Sequence, residues 1–335
     1  MTAGLALAGA LILAAPAPLV VSVGGPPEDP AYLPVYAAEA LGTFAAEGVR
    51  PTLRRAKHPT GAIGALRERE AAVAVTTADQ AVRGAWARGT PVRVLVAHTR
   101  APAVALLVSV RHRDRVLSVD DLRGRRAGIP GPGTTGHLVL AALLRERRIE
   151  PWELELVSLG GAAIVARLGI GELAAAVVEE PWGTRALRAG TAAVLLDLRD
   201  PETAARHLGG PFYEVVSVVP AAEPEADARE ALEAFVRALL RVQAWLAATP
   251  PAAVAVRLPP RLVTDPEGFV ARLTALRATL APDGEATEAG LRATFRVLRA
   301  GSPWPLTLEA RPADLREPPW VAAVRARLGS PPPSP

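Results

Sequence analysis

The segment Gly128–Leu144, GIPGPGTTGHLVLAALL, concentrates residues that could do chemistry. Gly131, Gly133 and Gly136 spell G-x-G-x-x-G between a short apolar run and an apolar helix, the letter pattern of a dinucleotide-binding loop. A dinucleotide fold also needs a long apolar strand before the turn and an acid ~20 residues beyond it for the ribose. Glu155 stands at about that distance, but the strand is short, begins with Arg125 and Arg126, and enters a turn stiffened by Pro130 and Pro132. The loop also lies in mid-chain, whereas such loops usually open their domain. The same backbone physics can cradle a smaller anion. Gly133 lets the backbone approach a ligand, and Thr134 and Thr135 offer a cap and hydroxyl donors. The first turn of the following helix leaves N–H groups unpaired where the dipole favours negative charge. An ordinary N-cap without a ligand fits these residues equally well.

Glu179 and Glu180 end a second run, AAAVVEEPWG, before Pro181 and Trp182. Thr76 and Thr77 end a matching run upstream. In parallel sheets ligands gather beyond the carboxyl ends of the strands. Adjacent strand residues alternate faces, so one glutamate of the pair should point into a cleft; a solvated turn is the plain alternative. His58, His98, His112, His137 and His207 form no metal-binding spacing, and neither a nucleophile elbow nor a P-loop is present. The chain has no cysteine, which removes disulfides, thiolate metal sites and a lipid anchor. No cofactor and no metal are expected.

The elements that must position these residues alternate. Apolar strands at Leu19–Gly24, Pro51–Ala56, Ala72–Thr76 and Val92–His98 are separated by helices at Tyr32–Ala46, Ala62–Glu70 and Asp79–Arg88. That order predicts a parallel-type sheet covered on both faces. REAAVAVTT at Arg69–Thr77 is answered by GELAAAVVE at Gly171–Glu179, and GTPVRVL at Gly89–Leu95 by GTAAVLL at Gly190–Leu196. A spacing of about a hundred residues suggests two similar α/β lobes. After FYEVVSVV, Phe212–Val219, the chain turns helical, with Leu232, Phe235, Val236, Leu239, Leu240 and Leu246 on one face.

The 335 residues are 50% hydrophobic and 21% charged, enough for two modest cores. Lys57 is the lone lysine among 38 basic residues, yet the formal net charge is only +4. The arginines are scattered through helices with no aromatic interleaving, so nucleic-acid binding is not expected. The apolar run Ala3–Ala15 followed by Ala15-Pro16-Ala17 reads as an export signal over residues 1–17, although no basic residue precedes it. The proline-rich residues 329–335 are expected to form a disordered tail.

Several stretches resemble the SsuA/THI5-like (NMT1-like) solute-binding proteins. AYLPVYAAEALGTFAAEGV is similar to their opening helix, and SVDDLRGRRAGIPGPGTTGHLVLAALL to the start of their second lobe. AAVVEEPWG resembles their V-x-E-P segment, with Glu180 and Pro181 as the matching pair. The likeness runs from about Leu19 to about Leu298. Ala72 and Ala174 depart from it where an aspartate commonly stands. The resemblance implies a type II periplasmic binding protein fold: two α/β lobes joined by two crossing strands. Lobe 1 is expected over 18–110 and again over 212–328, and lobe 2 over 111–211. A small anionic or zwitterionic molecule, such as a sulfonate, taurine, nitrate, bicarbonate or pyrimidine precursor, would bind between them and pass to an ABC permease and its ATPase. The resemblance places Tyr32, Thr60, Gly61, Thr76 and Thr77 on one side of the ligand. It places Gly133, Thr134, Thr135 and Glu180 on the other, with Tyr213 near the hinge. The acidic PPEDPAY stretch also puts Asp29 where it could face an amine. The protein is then expected outside the cytoplasmic membrane, monomeric and not an enzyme. The alternative is an enzyme on the same scaffold, such as a menaquinone-pathway lyase.

Overall fold

The computed structural model describes residues 18–86, 89–301 and 310–329. The expected export signal and residues 330–335 of the expected tail lie outside them. The first part of the chain runs β1 (Pro18–Val23), α1 (Leu33–Ala40), α2 (Thr43–Ala46), β2 (Arg50–Arg55), α3 (Pro59–Arg67), β3 (Val73–Thr77), α4 (Ala78–Trp86) and β4 (Val92–Ala97). The single helix expected over 32–46 is two, because Gly42 takes a left-handed φ of 72° between them.

The middle part is β5 (Val104–Ser109), β6 (Arg126–Ile129), α5 (Thr135–Glu146), β7 (Glu155–Ser158), α6 (Gly161–Ile170), β8 (Ala175–Glu179), α7 (Trp182–Arg188), β9 (Ala192–Asp197) and α8 (Pro201–Leu208). The chain returns through β10 (Val215–Pro220) and continues as α9 (Ala226–Ala248), α10 (Pro251–Arg257), α11 (Pro266–Leu276), α12 (Glu288–Gly301) and α13 (Pro319–Gly329).

Two five-stranded sheets result, ordered β2-β1-β3-β10-β4 and β7-β6-β8-β5-β9. The orders correspond strand for strand, and the two repeats seen in the sequence are β3 with β8 and β4 with β9. In each sheet the inserted strand is antiparallel to both neighbours, β10 in the first and β5 in the second. Both carry a register shift after their third residue, at Ser217/Val218 and Leu106/Leu107. Thr77 pairs with Val215 and Glu179 with Val104, so Thr77 and Glu179 hold equivalent places at the ends of their strands.

Two parts of the expected lobe division differ. β5, assigned to lobe 1 by a boundary at 110/111, pairs with β8 and β9 of the second sheet; the first crossing is 98–103. Helix α12, grouped with lobe 1, packs on α5 and α8 of lobe 2. Small residues allow this approach: a Cβ on Gly301 would lie 2.9 Å from the Leu138 Cα and 3.1 Å from the Ala141 Cβ. Helix α13 then packs back on α9. The apolar face of α9 is buried as its spacing predicts, and Phe235 stacks on Phe44 at a ring separation of 5.2 Å.

Candidate functional site

A cavity of about 530 Å³ opens between the lobes where both crossings pass. Asp29 and Pro30 reach it from the loop after β1, Glu179 and Glu180 from the end of β8, and Asp265, Arg272 and Leu276 from α11 and its N-cap. Ala103 of the first crossing and Glu214 of the second form its floor. Its walls carry six acidic residues and one basic residue.

Glu214 is the most constrained of the acids. Its carboxylate accepts the Ala103 N–H at 3.0 Å, and its backbone N–H donates to the Thr99 hydroxyl at 2.8 Å. Its carbonyl accepts the Ala78 N–H that opens α4 at 2.9 Å. The Thr135 hydroxyl, at the start of α5, also donates to the carboxylate. Burial pushes this carboxyl up to about 7 against those hydrogen bonds, and the charges of Asp29 and Glu179 add to the rise. Burial likewise raises Asp29, offset in part by the Ala31 N–H at 2.9 Å. It raises Glu179 too, and the charge of Asp29 in the other lobe raises it further. Glu179 has no hydrogen-bond or ion-pair partner among the described residues.

Glu180 is neutralised. Its Oε1 pairs with Arg199, which grips Asp197 through two bonds of 2.8 Å, and its Oε2 accepts the Thr184 N–H at 3.3 Å. Of the two adjacent glutamates, the unneutralised cleft charge is therefore Glu179. Arg272 makes no ion pair or hydrogen bond among the described residues, and its Nε is buried without a partner.

The other expected ligand residues fall in several places. Tyr32 is 4% exposed, with its hydroxyl buried and unpartnered. Burial, then the charges of Asp29, Glu214 and Asp79, raise its ionisation far above the usual phenol range. Thr77 donates to the Asp79 carboxylate at 2.5 Å, whereas Thr76 is fully buried and donates to the Pro59 carbonyl at 2.9 Å. Thr60 is exposed and donates to Gln80 at 3.0 Å. Gly61 lines a separate basic hollow beside β2, with Arg54, Arg55, Lys57 and His58, formed by lobe 1 alone.

Part of the glycine turn's donor set is used within the turn itself. The Gly133 N–H donates to His137 Nδ1 at 3.0 Å, and the Thr134 hydroxyl donates to the Gly131 carbonyl at 2.8 Å while capping the His137 N–H at 3.3 Å. Gly133 lines a different, mostly apolar cavity against α5 and α12. Of this turn only Thr135 joins the carboxylate group, as a partner of Glu214. Tyr213 is 2% exposed and holds the start of α12: its hydroxyl accepts the Thr287 N–H at 2.9 Å and meets the Thr287 hydroxyl at 3.0 Å.

Sequence reading passed over Glu214 and the α11 wall. Glu214 sits directly after Tyr213 at the start of the return strand, and its position there was the one available signal. The histidines are structural where they are buried. His98 bonds Ser217 through Nε2 at 2.7 Å, and burial lowers its pKa to about 3. Among the described residues no cluster could hold a metal ion, and no helix is long and apolar enough to cross a membrane.

Known proteins match this arrangement. A Bordetella bronchiseptica RB50 protein shares 22% identity at a TM-score of 0.69, covering 94% of this chain and 98% of its own. A putative periplasmic sulfonate-binding protein SsuA of an ABC transporter from Methylobacillus flagellatus KT shares 13%, with TM-score 0.71 and coverage of 94% and 95%. The periplasmic nitrate-binding protein NrtA from Synechocystis PCC 6803 shares 12%, with TM-score 0.61 and coverage of 94% and 89%. These likenesses show the type II periplasmic binding protein fold. No curated protein matches the chain. The NMT1/THI5-like family model matches residues 29–253, two thirds of the sequence, and the chain belongs to that family.

Proposed function

We propose that this protein is the solute-binding component of an ABC importer, working outside the cytoplasmic membrane as a monomer that delivers a small molecule to a permease and its ATPase. One observation carries the reading: the cavity is lined by both lobes and floored by both crossings, through Ala103 and Glu214. A ligand touching both walls stabilises the closed arrangement over the open one, which is how a two-lobed binder signals occupancy. Family membership and the named importer components among the structural neighbours support it. No observation favours a lyase on the same scaffold.

The carboxylates do not suit a purely anionic ligand. A zwitterion keeps a place, with Arg272 as the available cation. The reading is tested by small-angle scattering of the purified chain with and without a ligand found by thermal-shift screening. A fall in radius of gyration on binding supports it. Binding with unchanged dimensions, at a site insensitive to Glu179→Gln, counts against it.

A further inference from the structure

Three carboxylates, Asp29, Glu179 and Glu214, line one interlobe cavity, and among the described residues no cation forms an ion pair with them. Asp29 belongs to lobe 1, Glu179 to lobe 2 and Glu214 to the second crossing, so their mutual repulsion acts across the hinge itself. Arg272, the one basic residue on the walls, makes no ion pair with any of them. The Tyr32 hydroxyl adds an independent sign of an absent partner: it is buried, makes no hydrogen bond, and lies in the field of Asp29 and Glu214. A buried polar group without a partner is costly and uncommon in a finished structure. Of the neighbouring acids, Glu180 is paired with Arg199, and the exposed Asp265 caps α11 by accepting the N–H of Gly268 at 3.0 Å.

We propose that the ligand carries a protonated nitrogen, an ammonium or amidinium, which seats between Asp29, Glu179 and Glu214 and draws the lobes together. The proposal rests on the cavity being the solute site and names the chemistry of what fills it. A cation between like charges on opposite walls turns their repulsion into two attractions, and a low-dielectric cleft strengthens both. The N–H groups of the ligand supply the donors that Glu179 lacks. A nitrogen-free anion would add a further negative charge to three and hold the lobes apart.

The test is a thermal-shift screen of the purified full chain at pH 8 against several hundred small metabolites sorted by charge, with isethionate, methanesulfonate and nitrate among the anions and putrescine, agmatine and benzamidine among the cations. Compounds that raise the unfolding midpoint are expected to carry a protonated nitrogen. Calorimetry then measures the best of them against Glu179→Gln and Asp29→Asn. Each substitution is expected to weaken binding at least tenfold, while Glu202→Gln, on the exposed surface of lobe 2, changes nothing. If only anions without a protonated nitrogen stabilise the chain, the proposal is overturned and the solute-site reading survives. Stabilisation by no compound overturns both. An amine whose affinity ignores both substitutions also overturns the proposal, since it binds elsewhere.

Discussion

The carboxylate of Glu214, on the second crossing, accepts the backbone N–H of Ala103, on the first, at 3.0 Å. One side chain thus ties together the two strands of chain about which the lobes must turn, and it does so from the floor of the ligand cavity. Removing the charge while keeping the acceptor separates these roles. Glu214→Gln should raise the unfolding midpoint at pH 8 by a few degrees, because an ionised carboxylate that costs at most ~3 kcal/mol is gone. Glu214→Ala removes the charge as well but leaves the Ala103 N–H and the Thr135 hydroxyl without an acceptor, and should be less stable than Glu214→Gln by ~1–3 kcal/mol. Calorimetric scans of the two variants check their order.

The pH dependence follows from the same group. Glu214 titrates at about 7 in the fold and in the ordinary carboxylate range when unfolded, and Asp29 and Glu179 are raised in the same direction. The folded state therefore holds more protons across this window, so stability falls as pH rises through it. The ligand-free protein should melt higher at pH 6 than at pH 8. An amine ligand should show the reverse trend in affinity, binding more tightly at pH 8, where all three acids are charged and only Arg272 stands among them as a fixed cation. Parallel thermal scans and titrations across pH 5–8 read both.

Arg199 neutralises Glu180 where both side chains are nearly buried, at 12% and 4% exposure. Arg199→Ala strands that carboxylate and should cost ~3–5 kcal/mol, measured by urea unfolding. Pairing it with Glu180→Gln should recover most of the loss. Full loss in the double variant would assign the cost to Asp197 instead.

Tyr213→Phe removes the acceptor for the Thr287 N–H and should destabilise the protein by ~1–2 kcal/mol. Ligand affinity should not change, because the hydroxyl anchors α12 and does not reach the cavity. A tenfold loss of affinity with unchanged stability would place it in the ligand's path after all.

The lobes were legible because the repeated grammar of strand and helix survives in apolar spacing: β3 and β8, and β4 and β9, stand about a hundred residues apart and end at Thr77 and Glu179. The ownership of β5 was not legible. An apolar strand looks the same whichever sheet receives it, and only pairing assigns it. The packing of α12 on lobe 2 was hidden for a like reason: Gly301 and Ala141 mark a close approach only once both helices are placed. At the site, the acidic loop with Asp29 and the Glu179–Glu180 pair drew notice as residue types. The sequence could not show that Arg199, nineteen residues on, silences one glutamate and leaves the other bare. The glycine turn keeps two of its donors, the Gly133 N–H and the Thr134 hydroxyl, for local bonds, and His137, which takes one of them, carries no such meaning in the letters.

The inserted strands have a consequence for autonomy. β10 lies between β3 and β4, so the first sheet is complete only after the chain has passed through the second, whose five strands run consecutively from β5 to β9. A fragment ending at Ala103 would have a slot through its first sheet, and one beginning there would carry β10 with nowhere to dock. The first sheet waits for a strand that lies beyond the second, so a single cut at the first crossing cannot yield two complete modules. Assembly must wait for contacts between segments more than a hundred residues apart, which points to slow folding and a long exposure of unfinished sheet edges.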